Sequence, residues 1–391
     1  MATGSVSMLT GDPQQRVRHL LTEMQSLGVR WLNSGSTGVG VSRIGGAGPS
    51  DHKAVTLEGH TVMVPIHTGA ASRSPYIAMV EADERSATLY RDGTLVGTLT
   101  FPGRPRFYDL ETPDGIPYWK IALLHGSDVL ATTLLQTCVR YSQRETSCQF
   151  CAIGQSLAAG RTIARKTPAQ LALVARAAVD LDGVTHMVMT TGTPPTPDRG
   201  ALVLCESAKA VKAVVDLPIQ GQCEPPADDC WFARLAESGV ASLGMHLEAV
   251  NEDVRRTIMP GKAEVPVERY LRAFEAAVAV FGRGQVTTYL LAGLGDTEDE
   301  IIDMAGRLAS MGVYPFVVPF VPISGTPLAH HPPPPSELMR RLYVRLEPLL
   351  SEAGLRADGI RAGCGRCGAC SAMRSYEAST GRPLLAISNP R

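Results

Sequence analysis

Nine cysteines carry most of the distinctive chemistry in this chain of 391 residues, and six of them fall in two compact triplets. Cys138, Cys148 and Cys151 have the spacing C-x9-C-x2-C, and Cys364, Cys367 and Cys370 have the spacing C-x2-C-x2-C in a glycine-rich run near the chain end. Buried cysteines do occur as small hydrophobes, but packing does not call for C-x2-C pairs. Three thiolates can hold three irons of a [4Fe–4S] cluster and leave the fourth iron open. An open iron can chelate the amino and carboxylate groups of an amino acid. A structural zinc ion wants four ligands, and no fourth Cys or His lies close to the first triplet in sequence. The first triplet therefore reads best as an iron–sulfur cluster site, with a zinc site or inert thiols as the alternatives. The second suits an auxiliary iron–sulfur cluster, with zinc as the alternative, because soft thiolates accept both metals. Glycine lets such a loop wrap a cluster and offer backbone N–H groups to sulfur. Cys205, Cys223 or Cys230 could supply a fourth thiolate; packing is the plainer role for these three, and Cys223, at a strand end, is the one nearest the expected site.

The elements that must position these thiols follow from the hydrophobic pattern. From about residue 131, short apolar runs alternate with amphipathic segments. Strands are expected at 131–137, 185–190, 219–223, 242–246, 286–292 and 313–321, with helices at 168–181, 202–214, 231–238, 266–281 and 298–311. Thr167-Pro168 and Thr297-Glu298 read as helix starts. Six strands alternating with helices imply parallel βαβ units. The fold class is α/β, a partial (β/α)6 barrel similar to a TIM barrel, with a flat doubly wound sheet as the alternative. Residues 1–130 read as a small α+β N-terminal domain, with a helix at 14–27, a loop at 35–49 and strands at 61–65, 76–80, 87–90 and 95–101. Asp92-Gly93 marks a hairpin between the last two. The barrel is expected over 131–330. A C-terminal extension, 331–391, runs through a proline stretch and a helix at 336–353 to the last cysteines.

Composition excludes several classes. Lys plus Arg number 37 against 38 Asp plus Glu, which argues against a broadly basic nucleic-acid surface. No run of 18 apolar residues predicts a membrane span, and residues 1–13 lack the charged and apolar regions of a secretory signal. Cysteines in a chain without an export signal read as metal ligands rather than disulfides, and the expected location is cytoplasmic.

Other residues gather at the carboxyl ends of the expected strands, where parallel α/β folds place their chemistry. They are Thr190-Thr191-Gly192-Thr193, Glu224, Glu248, and the segment from Tyr289 to Thr297 that contains Leu291 and Gly293. A carboxylate there can accept both hydroxyls of a ribose, and glycine permits close backbone approach; ordinary turns and solvated glutamates are the plainer reading. His186 and His246 read as core histidines, and His330-His331 as the cap of a linker. Arg255, Arg256 and Lys262 read as a solvated helix face, with an anionic substrate as the functional alternative.

The first triplet, with Phe150 just before its last cysteine, resembles the radical SAM superfamily, and the likeness runs over about 131–330. The common spacing there is C-x3-C-x2-C. The nine-residue gap occurs in other branches, including the elongator catalytic subunit. The resemblance implies that the open iron binds S-adenosylmethionine, that one electron cleaves it, and that the resulting 5′-deoxyadenosyl radical takes hydrogen from a small-molecule substrate. It implies Phe150 beside adenine, Thr191, Gly192 and Thr193 at the methionine amine, and Glu248 at the ribose or methionine end. Glu224 would meet polar parts of the cofactor or a substrate amine, and the backbone of Leu291 and Gly293 would flank adenine. An external reductant such as a flavodoxin or ferredoxin is implied as partner. The runs Cys138-Val139-Arg140-Tyr141-Ser142, Cys148-Gln149-Phe150-Cys151-Ala152-Ile153-Gly154 and Pro319-Phe320-Val321-Pro322-Ile323 resemble the branch encoded in nitrilase-linked bacterial operons. That branch would imply a role in nitrile or related nitrogen metabolism. Sulfur insertion at the expense of the second cluster, an RNA substrate, and a non-enzymatic scaffold or electron carrier are the alternatives. The N-terminal domain is expected to cover the open side of the barrel, or to form a homodimer contact.

Overall fold

The computed structural model describes residues 12–33, 52–141, 143 and 145–377; the loop expected at 35–49 lies outside them. Helix α1 (Pro13–Leu27) begins where the Asp12 side chain accepts from the Gln14 N–H and Pro13 takes the first turn. It buries Val17, Leu20, Leu21 and Met24, one helical stripe. Six strands follow: β1 (Arg30–Asn33), β2 (His52–Leu57), β3 (His60–Pro65), β4 (Tyr76–Val80), β5 (Ser86–Arg91) and β6 (Thr94–Thr100). They form one sheet in the order β1-β4-β5-β6-β2-β3. Asp92 and Gly93 both take positive φ, 47° and 80°, as the expected two-residue hairpin requires. Strands β1 and β2 are additional to those expected from sequence; β1 has only four residues, too few for periodicity to register.

The second sheet holds β7 (Leu123–His125), β8 (Val129–Thr133), β9 (His186–Thr190), β10 (Ile219–Gln222), β11 (Val240–Gly244), β12 (Val286–Ala292) and β13 (Val313–Pro319). Strands β8 to β13 lie side by side in chain order, all parallel, and β7 pairs antiparallel on the outer edge of β8. Helices α2 (Ile153–Ala158), α3 (Pro168–Asp182), α4 (Ala201–Lys212), α5 (Cys230–Glu237), α6 (Glu252–Ile258), α7 (Pro260–Ala263), α8 (Val267–Phe281) and α9 (Glu298–Met311) fill the crossovers, and α10 (Ser336–Glu352) packs on α9. Strand order matching chain order curls the sheet into a partial (β/α)6 barrel. Thr167 and Thr297 each form a full capping box, with Gln170 and Glu300 respectively. Among the described residues no helix is long and apolar enough to cross a membrane.

Several boundaries differ from expectation, most by a residue or two, and three of the differences bear on the site. The second sheet starts at Leu123, because a three-residue strand turns through Gly126 and carries no periodic signal of its own. Strand β8 ends at Thr133 rather than at 137, and Leu134 to Gln136 cross instead toward Thr190 and Ala164 through backbone hydrogen bonds. Strand β11 ends at Gly244, and the chain beyond it bulges along β12, with the Glu248 N–H donating to the Tyr289 carbonyl and the Leu291 N–H to the Glu248 carbonyl.

After α10 the chain turns back and enters the concave face of the barrel, ending in the short helix α11 (Cys364–Cys367). Its backbone N–H groups are taken up by side chains of successive strands. Arg361 donates to Gln285 (2.9 Å), Ala362 to Ser242 (3.3 Å), Gly363 to His186 (3.1 Å) and Cys364 to Gln220 (3.1 Å). The N-terminal unit then clamps the same segment from outside. Met63 N–H and the Gln25 amide both donate to the Ala369 carbonyl (2.7 and 3.0 Å), and Arg18 to the Ser375 carbonyl (2.7 Å).

Gly363 has φ +103°, and a Cβ there would lie 2.1 Å from the Gln220 amide. Gly363→Ala is therefore expected to cost about 2–4 kcal/mol, from left-handed backbone plus overpacking. Gly115→Ala, with φ +77° and nothing within 4 Å, should cost only the backbone part, about 1–2 kcal/mol. Urea unfolding of the two variants measures the difference.

Candidate metal and cofactor site

The cysteine loop of the first triplet is held by backbone rather than by its own secondary structure. Val139 N–H donates to the Thr193 carbonyl (2.8 Å), Gln149 to Ile258 (2.7 Å) and Gly261 to Thr146 (3.0 Å). These approaches leave no room for side chains. A Cβ on Gly192 would stand 2.1 Å from the Thr137 carbonyl oxygen, and one on Gly261 would stand 2.5 Å from that of Thr146. Gly192 is thus demanded by the crossing of two loops.

Cys138, Cys148 and Cys151 open onto a cavity of about 380 Å³. Phe150, Thr191, Gly192, Thr193, Glu224, Glu248 and Leu291 line the same cavity. Gly293 is not among the lining residues; it has φ +101°, packs against Pro334, and its carbonyl meets His331 Nε2 at 2.9 Å. His331 thus anchors a loop and packs edge-on to Phe320. Cys223 lines the cavity; Cys205 is buried in α4 and Cys230 is exposed at the start of α5.

Two ion pairs cross the cavity wall. Arg140 grips Glu224 with two hydrogen bonds, Nε to Oε1 at 2.7 Å and Nη2 to Oε2 at 3.0 Å, and Thr193 Oγ1 donates to the same carboxylate at 2.9 Å. Burial would raise the Glu224 carboxyl, but the Arg140 hydrogen bonds and the charges of Lys262 and Arg140 hold it below the usual range. Lys262 Nζ donates to Glu248 Oε2 at 2.7 Å. Burial alone would lower the Lys262 ammonium; Glu248, helped by Tyr270, Cys148 and Glu224, holds it above its ordinary value. Glu248 has φ +69°, a conformation that costs a non-glycine residue about 1–2 kcal/mol and is characteristic of functional sites.

Arg255 is neither a solvated side chain nor a substrate ligand. It is fully buried and donates to the carbonyls of Leu247, Ala249 and Val265, so it braces the bulge that carries Glu248. Arg256 is exposed and pairs with Asp253.

His246 is a residue that the sequence treats as core and the structure turns toward the cavity. Its Nδ1 accepts from the Tyr289 N–H at 3.3 Å, and its ring lies on that of Tyr289, 4.3 Å between centroids. Burial, with Lys262, pushes its pKa down to about 3, so the ring is neutral. An accepting Nδ1 puts the proton on Nε2, and Nε2 is buried without a hydrogen-bond partner. His186, by contrast, is satisfied by the Gly363 N–H.

Two cysteines of the second triplet reach the same cavity. Cys364 and Cys370 line it together with His125, Gln25, His52 and Met63. Among the described residues no three His, Cys, Asp or Glu side chains converge on a single ion position. The sulfurs of a cluster site stand apart by the width of the cluster, and the thiols of Cys138, Cys148, Cys151, Cys364 and Cys370 on one cavity form a donor set suited to iron–sulfur chemistry. Burial pushes the Cys151 thiol up to about 12 and that of Cys148 well above its ordinary value; a bound cation reverses this preference.

Arg140→Met leaves a charged carboxylate buried without its partner, which should cost the metal-free protein about 3–5 kcal/mol. Glu224→Gln in that background should recover most of the loss. Because the folded Glu224 carboxyl is lowered, the pair contributes fully above the ordinary carboxylate range and is lost as pH falls through the lowered value. Urea unfolding of wild type and Arg140→Met should therefore converge in acid.

Residues 144–308 match the Radical SAM superfamily. The chain is 33% identical over 141 residues to the bacteriochlorophyllide c C-7(1)-hydroxylase of Chlorobaculum limnaeum, covering 34% of this chain and 35% of that protein. It is 26% identical over 238 residues to a probable dual-specificity RNA methyltransferase RlmN of Rhodopirellula baltica, covering 56% and 60%. Methylornithine synthase (PylB) superposes with a TM-score of 0.45 at 17% identity, covering 62% of this chain and 68% of that one. The chain thus spans about a third to three-fifths of the length of these curated relatives. Residues 144–308 thus carry the similarity to the Radical SAM superfamily, and the relatives that share it are named as enzymes.

Proposed function

We propose that the protein is a radical SAM enzyme acting on a small molecule, with a second iron–sulfur cluster on the wall of the same cavity. The observation that carries this reading is the shared cavity, which is lined by Cys138, Cys148 and Cys151 of the first triplet and by Cys364 and Cys370 of the second. Cys138, Cys148 and Cys151 would hold a [4Fe–4S] cluster. When bound, that cluster and S-adenosylmethionine supply a 5′-deoxyadenosyl radical. Every other task falls to the chain. Phe150 and Leu291 offer apolar faces to adenine. The Thr191–Thr193 backbone, held open at Gly192, offers carbonyls to an amine. Glu248, held by the Lys262 ammonium, accepts from ribose hydroxyls or the amine. Glu224 is already filled by Arg140 and Thr193, so it positions those two groups. His246 Nε2–H is a neutral donor for a substrate oxygen or nitrogen. Gly293 shapes the loop behind Leu291 through His331. Electrons would come from a flavodoxin- or ferredoxin-like donor.

No relative named above belongs to the nitrilase-linked branch, so the substrate class is argued from the cavity. Arg140 and Lys262, cations on its wall, are both paired with carboxylates, which leaves little charge for a phosphate backbone. RNA is the second reading, favoured by the RlmN relatives.

Anaerobically reconstituted protein given S-adenosylmethionine and dithionite should release 5′-deoxyadenosine. Cys148→Ala/Cys151→Ala should release none and lose the iron of one cluster. Stoichiometric zinc with no binding of S-adenosylmethionine by calorimetry would sink the proposal. Salt-sensitive binding of a mixed RNA pool, with S-adenosylmethionine cleavage stimulated by it, would move the substrate to RNA.

A further inference from the structure

The second triplet sits among buried hydrogen-bond donors that neutral thiols do not need. Gln222 Nε2 lies 3.3 Å from Cys364 Sγ, and His125 Nε2 lies 3.4 Å from Cys370 Sγ. Gln222 is 5% exposed and His125 3% exposed. The Tyr289 hydroxyl is also within hydrogen-bonding reach of Cys364. Cys367 receives the backbone N–H of Ala369 and is backed by the His125-Gly126 turn, where a Cβ on Gly126 would stand 2.9 Å from its sulfur.

The orientation of the Gln222 amide is forced by its neighbours. Gln220 Nε2 donates to Thr287 Oγ1 at 3.0 Å, so its Oε1 faces the other way. That oxygen accepts from Gln222 Nε2 at 2.8 Å and from the Cys364 N–H at 3.1 Å. The Gln222 NH2 group therefore spends one hydrogen on Gln220 and presents the second to the Cys364 sulfur. The relay Thr287–Gln220–Gln222 is fully internal, and it terminates on sulfur. A metal-bound thiolate is acceptor only, so His125 must present Nε2–H to Cys370.

Resting on the reading of a cluster at Cys364, Cys367 and Cys370, we propose that Gln222, Tyr289 and His125 are positioning residues that stabilise its thiolates and set its reduction potential. Hydrogen bonds to cluster sulfurs disperse negative charge and favour the reduced state. Tyr289 has a second contact that couples this wall to substrate, because its ring lies under His246.

The test uses the full chain carrying Cys148→Ala/Cys151→Ala, so that only the second centre remains, reconstituted anaerobically. Iron, sulfide and zinc are measured, and the potential is read by EPR-monitored redox titration. Gln222→Glu, Tyr289→Phe and His125→Phe should each shift the potential to more negative values, Gln222→Glu most, because it replaces a donor by an acceptor. If Gln222→Glu or His125→Phe sheds its iron, Tyr289→Phe decides, since it keeps the ring and removes only the hydroxyl. Unchanged potentials with iron retained overturn the role of the donors while leaving the cluster. Iron unaffected by Cys364→Ala/Cys367→Ala, or zinc in its place, overturns the cluster reading and the inference with it.

Discussion

The concave face of the barrel is polar where a closed core would be apolar, and this constraint organises the rest of the molecule. His186, Gln220, Ser242 and Gln285 come from four adjacent strands or their flanks, and each accepts a backbone N–H from residues 361–364. Buried polar groups must be paired, so the sheet requires the tail and the tail requires the sheet. The arrangement fixes where Cys364 and Cys370 stand. It also creates the carbonyls of Ala369 and Ser375 on which Gln25, Met63 and Arg18 dock. Sheet, tail and N-terminal unit are three layers that meet around one cavity.

Within that cavity the charges are arranged so that none is stranded. Arg140 and Thr193 saturate Glu224, while Lys262 steadies Glu248 on its left-handed backbone. The strain at Glu248 is offset by Arg255, whose guanidinium ties the carbonyls on both sides of it. Paired wall charges leave His246 Nε2 as a buried polar group still lacking a partner, which is where a ligand has most to offer.

Much of this was legible along the chain. The alternation of apolar runs with amphipathic helices carried the six parallel strands, and Thr167 and Thr297 marked helix starts that the capping boxes bear out. The residues expected at strand ends, from Thr191 to Leu291, do gather on one cavity with the first triplet. Strand ends were misplaced where a bulge or crossover takes over from the ladder, as at Gly244 and Thr133, because periodicity does not report where pairing stops.

What the sequence determined by itself is local: hydrophobic period, caps, turn residues and the spacing of thiols within each triplet. What only the tertiary structure decided is long-range. It placed the tail inside the barrel, 144 residues from Gln220 and 245 from His125 along the chain, and no short-range pattern encodes such a meeting. It turned Arg255 inward and His246 toward the cavity, although both types are read from sequence by their average exposure. The physical reason is the same in each case. A buried polar group finds its partner wherever the fold brings one, and that partner is set by packing rather than by neighbours in the chain.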